Sequence, residues 1–141
     1  MSNKPISQSK LLKVLSVGDL SDRLLINLIK IKNIGGECVD SLKEEIDILR
    51  DVISYFTSEL SSDDMREFKE MENELMCVLE DQWNALDLIR DKASTNEERG
   101  KSAINAQNIN IKRVELKNRI NSLCGSFVEY KKYGNQNDCR T

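Results

Sequence analysis

Two runs of apolar residues, spaced alternately by three and four, constrain this chain more than any other feature. In the first, Val39, Leu42, Ile46, Leu49, Ile53, Phe56 and Leu60 follow one another without a break. In the second, Ile109, Leu116, Ile120, Leu123, Phe127 and Tyr130 keep the same spacing, with Ala106 ahead of them and Arg113 as the one polar intruder. A repeat averaging about 3.5 residues keeps one seam of a helix turned toward another helix. The seam residues are therefore the candidate partner-binding residues, each worth roughly 1.5–3 kcal/mol if fully buried. Arg113 on a seam either fixes register or lets its long stem carry the charge out to water.

The rest of the sequence is arranged around these runs. The one proline, Pro5, lies outside any expected helix. A proline inside a helix would cost about 3 kcal/mol, so helices are free to run long from Ile6 onward. After Leu60 the register would bring Asp63, Glu67 and Glu70 onto the seam, and Ser61-Ser62-Asp63-Asp64 reads as a helix start. This predicts a turn and a new helix over 64–93, with a broad apolar face that includes Phe68, Met71, Leu75, Met76, Leu79 and Trp83. Ser94 and Glu97 match a capping box that opens a third long helix, near 98–132. Upstream, residues 1–10 read as a disordered lead, and Ser9–Val17 as a short helix with Leu11, Leu12, Val14 and Leu15 on its apolar face. Gly18 is expected to end or kink that helix, with Asp19 or Ser21 capping the next stretch, Leu20–Asn33, before Gly35-Gly36 stops it. The fold class is thus all-α: three long heptad-patterned helices near 37–60, 64–93 and 98–132, forming an antiparallel bundle or a coiled coil, preceded by one or two short helices. Residues 11–134 make a single helical or coiled-coil domain, followed by a flexible tail over 135–141.

Composition narrows the function. Without histidine, the commonest general base and metal ligand is missing, and a cysteine nucleophile would lack its usual imidazole partner. The carboxylates are plentiful, but a helical di-metal site needs ExxH pairs and a calcium loop needs a D-x-D-x-D-G spacing that does not occur. No phosphate-binding, dinucleotide-binding or nucleophile-elbow motif is present. The expectation is a protein that is not an enzyme and holds no metal or cofactor. No secretory signal or apolar run of about 20 residues occurs, so a cytoplasmic or nuclear location without a membrane span is expected. Cys38, Cys77, Cys124 and Cys139 stand singly, as reduced thiols do in such a compartment.

Charge is unevenly placed: residues 1–36 carry +4, 37–98 carry −13 and 99–141 carry +6. Opposite signs across helix contacts set pairing and orientation more than raw affinity. Lys112, Arg113, Lys117 and Arg119 raise the question of a polyanion partner, but the chain as a whole is acidic, so nucleic acid is not the expected ligand. In general aspect the chain is similar to the small coiled-coil subunits of kinetochore, augmin and lysosome-organelle-biogenesis complexes. Tyr55–Leu60 with Asp64–Asn73 resembles one subunit family of the last, and the likeness implies no site residues. The leading expectation is a non-enzymatic coiled-coil interaction protein, a structural or scaffold subunit that pairs with other coiled-coil proteins or with itself. The alternative is a self-contained bundle that grips a helix or peptide through the Met-rich face around Phe68–Leu79; docking on a polyanion through the basic C-terminal helix is weaker. Leu49→Glu should disrupt folding or assembly; a variant with unchanged helicity and an unchanged sedimentation coefficient would take Leu49 off the seam.

Overall fold

In the computed structural model of the protein, residues 5–34, 36 and 38–128 are described. They form five helices and, among the described residues, no strand: α1 (Gln8–Val14), α2 (Val17–Asn33), α3 (Val39–Thr57), α4 (Ser62–Arg90) and α5 (Asn96–Cys124). The all-α class is as the heptads lead one to expect. The relative weight of the helices is not, because α2, at 17 residues, is nearly as long as α3, at 19. It is also the helix that packs on α3, α4 and α5 alike.

Local chemistry sets the boundaries. The hydroxyls of Ser16, Ser61 and Thr95 each accept a hydrogen bond from the backbone N–H three residues on, which satisfies a donor left open at a helix start. The cap of α2 is therefore Ser16, not Asp19 or Ser21, and Gly18 lies inside its first turn. The cap of α5 is one residue later than expected, on Thr95, whose hydroxyl accepts from the Glu98 N–H. Ser94 is instead drawn inward, donating from its hydroxyl to the Leu88 carbonyl at 3.0 Å as α4 ends. Gly125, at φ +80°, closes α5 in the left-handed conformation, with the Gly125 and Ser126 N–H groups both bonding to the Asn121 carbonyl. This stop comes before Phe127 and Tyr130, so the second heptad run outlasts its helix.

Polar pairs show the directions of the helices. Arg119 meets Glu74 while Arg113 meets Gln82, so α4 and α5 run antiparallel as a hairpin. Lys117 meets Asp19 while Arg113 meets Asp22, so α2 also runs antiparallel to α5, alongside α4. At about 1.5 Å per residue, the 29-residue α4 and α5 reach roughly 43 Å against roughly 25 Å for α2. The core lies where all four long helices overlap. Ile46, Leu49, Ile53 and Phe56 of α3, Phe68, Met71, Leu75 and Leu79 of α4, and Leu116 and Ile120 of α5 join Leu24, Leu25 and Ile29 of α2 in one buried cluster.

Gly18 shows how closely α2 and α5 approach. A Cβ on Gly18 would lie 2.4 Å from the Lys117 carbonyl oxygen, a backbone atom that cannot turn aside. Gly18→Ala should therefore destabilise the fold by about 1–3 kcal/mol, the range for overpacking, despite alanine's better helix propensity. A urea midpoint equal to or above wild type would show that the two backbones can part cheaply.

Candidate partner-binding surfaces

The structure places most of the two seams inside the chain. On α3, Ile46, Leu49, Ile53 and Phe56 are buried and Val39 and Leu42 are half-buried, while Leu60, half-buried too, lies past the helix in the turn before α4. On α5, Ile109, Leu116 and Ile120 are buried and Leu123 is half-buried. Phe127 lies past the helix and is 67% exposed. Tyr130 is outside the described residues, as are residues 1–4 of the expected lead and the whole 135–141 tail; the rest of that lead is described, and α1 begins within it at Gln8. The Met-rich face is also turned inward: Met71 is buried, and Met65 and Met76 pack against the same cluster.

Arg113, the intruder on the second seam, holds three helices together. Its Nε and Nη2 donate to the two Asp22 oxygens at 2.7 and 2.5 Å, and its Nη1 donates to Gln82 Oε1 at 3.2 Å. This is the planar fork that only a guanidinium offers a carboxylate. Asp22 is buried, and one turn away Lys117 Nζ lies 2.6 Å from Asp19. Further along, Asn121 is buried and its Oδ1 accepts from the Gly18 N–H at 2.7 Å and the Ser16 hydroxyl at 3.0 Å. Ser126 accepts from the Val17 N–H at 3.4 Å and donates to the Leu15 carbonyl at 2.7 Å. The first amides of α2 are thus served largely from beyond the middle of α5. Sequence reasoning missed Asp22, Gln82, Asn121 and Ser126. The available signal was that Asp19 and Asp22, the only acids in residues 1–36, stand about one helical turn apart, as Lys117 and Arg113 do on a helix running the other way.

Two further groups, half-buried Glu72 and buried Cys124, are perturbed. Burial pushes the Glu72 carboxyl above its ordinary range, against the opposing pull of the Ser21 hydroxyl and the cations of Lys69 and Arg50. The enclosed Ser21 hydroxyl makes no hydrogen bond of ordinary geometry, yet it lies near enough to favour the Glu72 carboxylate. Burial, and then the Glu72 charge, push the Cys124 thiol up to about 11. Cys38 and Cys77 are exposed, and Cys139 lies outside the described residues. Among the described residues no group of three or more Cys, Asp and Glu is placed to hold a metal ion. A cavity of about 200 Å³ between α2 and α4, lined by Ile26, Ile29, Leu79, Trp83 and Leu86 with Gln82 and Arg113, is apolar and has room for one large side chain.

Surfaces that could meet a partner lie elsewhere. At one end, Ile6, Leu11, Val14 and Leu15 of α1 and its approach are exposed beside Phe127, whose N–H donates to the Lys13 carbonyl at 2.8 Å. On the outer side of α3, Ile48 and Tyr55 are more than half exposed, with half-buried Val52 between them. At the far end of the α4–α5 hairpin, Leu88 and Ile104 are exposed. No helix among the described residues is long and apolar enough to cross a membrane. Comparison with protein-family models, curated proteins and solved structures finds no match.

Three outcomes follow. Arg113→Met should cost about 3–5 kcal/mol, because it strands the buried Asp22 charge, and Asp22→Leu with Arg113→Met should recover most of that loss; additive losses in a denaturation cycle would deny the coupling. Glu72→Gln should be more stable than wild type at neutral pH. A carboxyl raised in the folded state favours folding only while protonated, so the gap should close as pH falls through its titration. A gap independent of pH would exclude that origin. At pH 8 only about one Cys124 thiol in a thousand is ionised, so site-resolved labelling should modify Cys38 and Cys77 and spare Cys124 until the chain unfolds.

Proposed function

We propose that this chain is a non-enzymatic interaction protein, a self-contained helical bundle that serves as a structural or scaffold subunit of a multi-protein assembly. The observation that carries this reading is the division of its apolar side chains. The seams are occupied within the chain, yet α3 keeps a second, outward stripe of Ile48, Val52 and Tyr55 at the spacing of one helix face. A helix that packs mainly on α2 and still presents such a stripe has a side suited to another helix. The same reading puts the protein in the cytosol or nucleus, among other coiled-coil proteins or copies of itself.

Three other readings have less support. An adaptor that grips a helix in a Met-rich groove would need Met71 and its neighbours at the surface, and they contribute to the core. A coiled-coil subunit that offers its heptad seams to a partner would have to open the bundle first. Docking of a polyanion on α5 would draw on Lys112, which is exposed, while Arg113, Lys117 and Arg119 face Asp22, Asp19 and Glu74.

The test is affinity capture from the native source with three baits: wild type, Ile48→Ser/Tyr55→Ser, and the control Leu88→Ser/Ile104→Ser. A stoichiometric partner kept by wild type and control, and lost from the α3 variant, is the expected result. Equal recovery on all three baits, or no stoichiometric partner on any, would sink the reading.

A further inference from the structure

Two unpartnered helix faces of this chain have opposite charge. Leu11 and Val14 of α1 and Leu15 at its C-cap share one face by their spacing of three and four, with exposed Lys10 on its flank and exposed Lys13 on the far side of the same helix. No acidic residue occurs before Asp19. α1 does not pack closely along any of the four long helices; Val14 is 77% exposed, and Leu11 and Leu15 remain partly accessible.

The outer face of α3 is the counterpart. Ile48, Val52 and Tyr55 run along it, and Tyr55 is braced edge-to-face on the buried Phe56 at 5.3 Å between ring centres. The exposed carboxylates on this side are Glu44 and Asp51, while Lys43 and Arg50 fall toward the opposite flank of the helix. Arg50 is near enough to Glu72 of α4 to be felt by it, which places that flank toward α4. The lengths match too: α1 and the Ile48–Tyr55 stripe each extend about 10 Å along a helix axis.

Charge then decides the pairing. Two copies meeting α1 to α1 would set lysine against lysine, and two meeting α3 to α3 would set carboxylate against carboxylate. Only α1 against α3 brings apolar side chains together under opposite charges. We propose that the chain assembles head to tail with copies of itself, the lysine-flanked face of α1 in one copy lying on the acidic outer stripe of α3 in the next. The proposal rests on the interaction-protein reading and names the partner as a second copy, because both complementary faces are present on this one chain.

Such a contact is heterologous. Each copy keeps a free α1 and a free α3 face, so assembly continues beyond the dimer as an open row or closes as a ring. A seven-residue helix covers less than the roughly 1,200 Å² below which interfaces are weak and transient, so the rows are dynamic and form at high local concentration. Exposed charges about 8 Å or more apart are screened at physiological salt, so assembly should weaken as salt rises.

Sedimentation velocity of the full chain over a range of concentration, at low and high salt, tests the proposal. Wild type should grow past the dimer with concentration and shrink with salt. Lys10→Glu/Lys13→Glu and Glu44→Lys/Asp51→Lys alter only exposed side chains, and each should weaken self-association by more than about tenfold. An equimolar mixture of the two variants should regain assembly, since each reversed face then finds a complementary one. A folding defect would not be rescued by mixing, and circular dichroism of each variant alone identifies one. A wild-type chain that stays monomeric at every concentration overturns the proposal, as does a dimer that stops growing and ignores both reversals. If that monomer still captured a foreign partner through Ile48 and Tyr55, self-assembly would fall and the interaction reading would stand.

Discussion

The ion pair between Asp22 and Arg113 ties together three of the four long helices, α2, α4 and α5, against which α3 then packs. Both hydrogen bonds of the fork must be made at once, and Gln82 takes the remaining guanidinium edge, so α2, α4 and α5 share one axial register. An apolar seam alone tolerates a slip of one heptad at modest cost, because one leucine resembles the next. A buried carboxylate does not, since a slip leaves it without its cation. The pair is thus better understood as specifying the arrangement than as adding stability, which is the best-attested use of a polar group on a helix seam.

The seat of α2 on α5 depends on that register. With Asp22 opposite Arg113, Gly18 falls against the Lys117 carbonyl and Asn121 falls beneath the first turn of α2. Glycine is needed there for room. The core then follows: with α2 held this close, Leu24, Leu25 and Ile29 reach the cluster shared with α3 and α4. The uneven charge of the sequence acquires a concrete meaning as well. The basic α5 meets the two acids of α2 and Glu74 of α4, and Arg23 of α2 meets Glu45 of α3, whose carboxyl is held below its usual range first by that hydrogen bond.

How much of this was legible in the sequence depended on the kind of interaction. Periodic apolar burial was legible, because Ile46, Leu49, Ile53 and Phe56 bury one face of a helix whatever covers it. The importance of α2 was not, because its apolar residues are ordinary in spacing and Gly18 reads locally as a break. Its true role, letting a backbone approach, depends on a residue about a hundred positions away. Arg113 was visible as an anomaly, but its partner lies on a segment whose heptads are absent. The end of α5 was missed because the heptad count runs through Gly125, where backbone conformation overrides side-chain pattern. The outward stripe on α3 was hidden for a related reason: Ile48, Val52 and Tyr55 lie off the stronger seam and read as background to it.

The capping of α2 also bears on the order in which the chain can fold. The partners of its first amides, Asn121 and Ser126, lie 103 and 109 residues downstream. During synthesis, α2 emerges early with its start unfinished and cannot complete it until nearly the whole described chain has left the ribosome. The α4–α5 hairpin, by contrast, is joined by a short loop and closes through contacts nearer in sequence, which carry a lower entropic cost. The helix that emerges first among the long four is thus the last to be sealed, and a chain truncated before Asn121 would lack both groups that finish it.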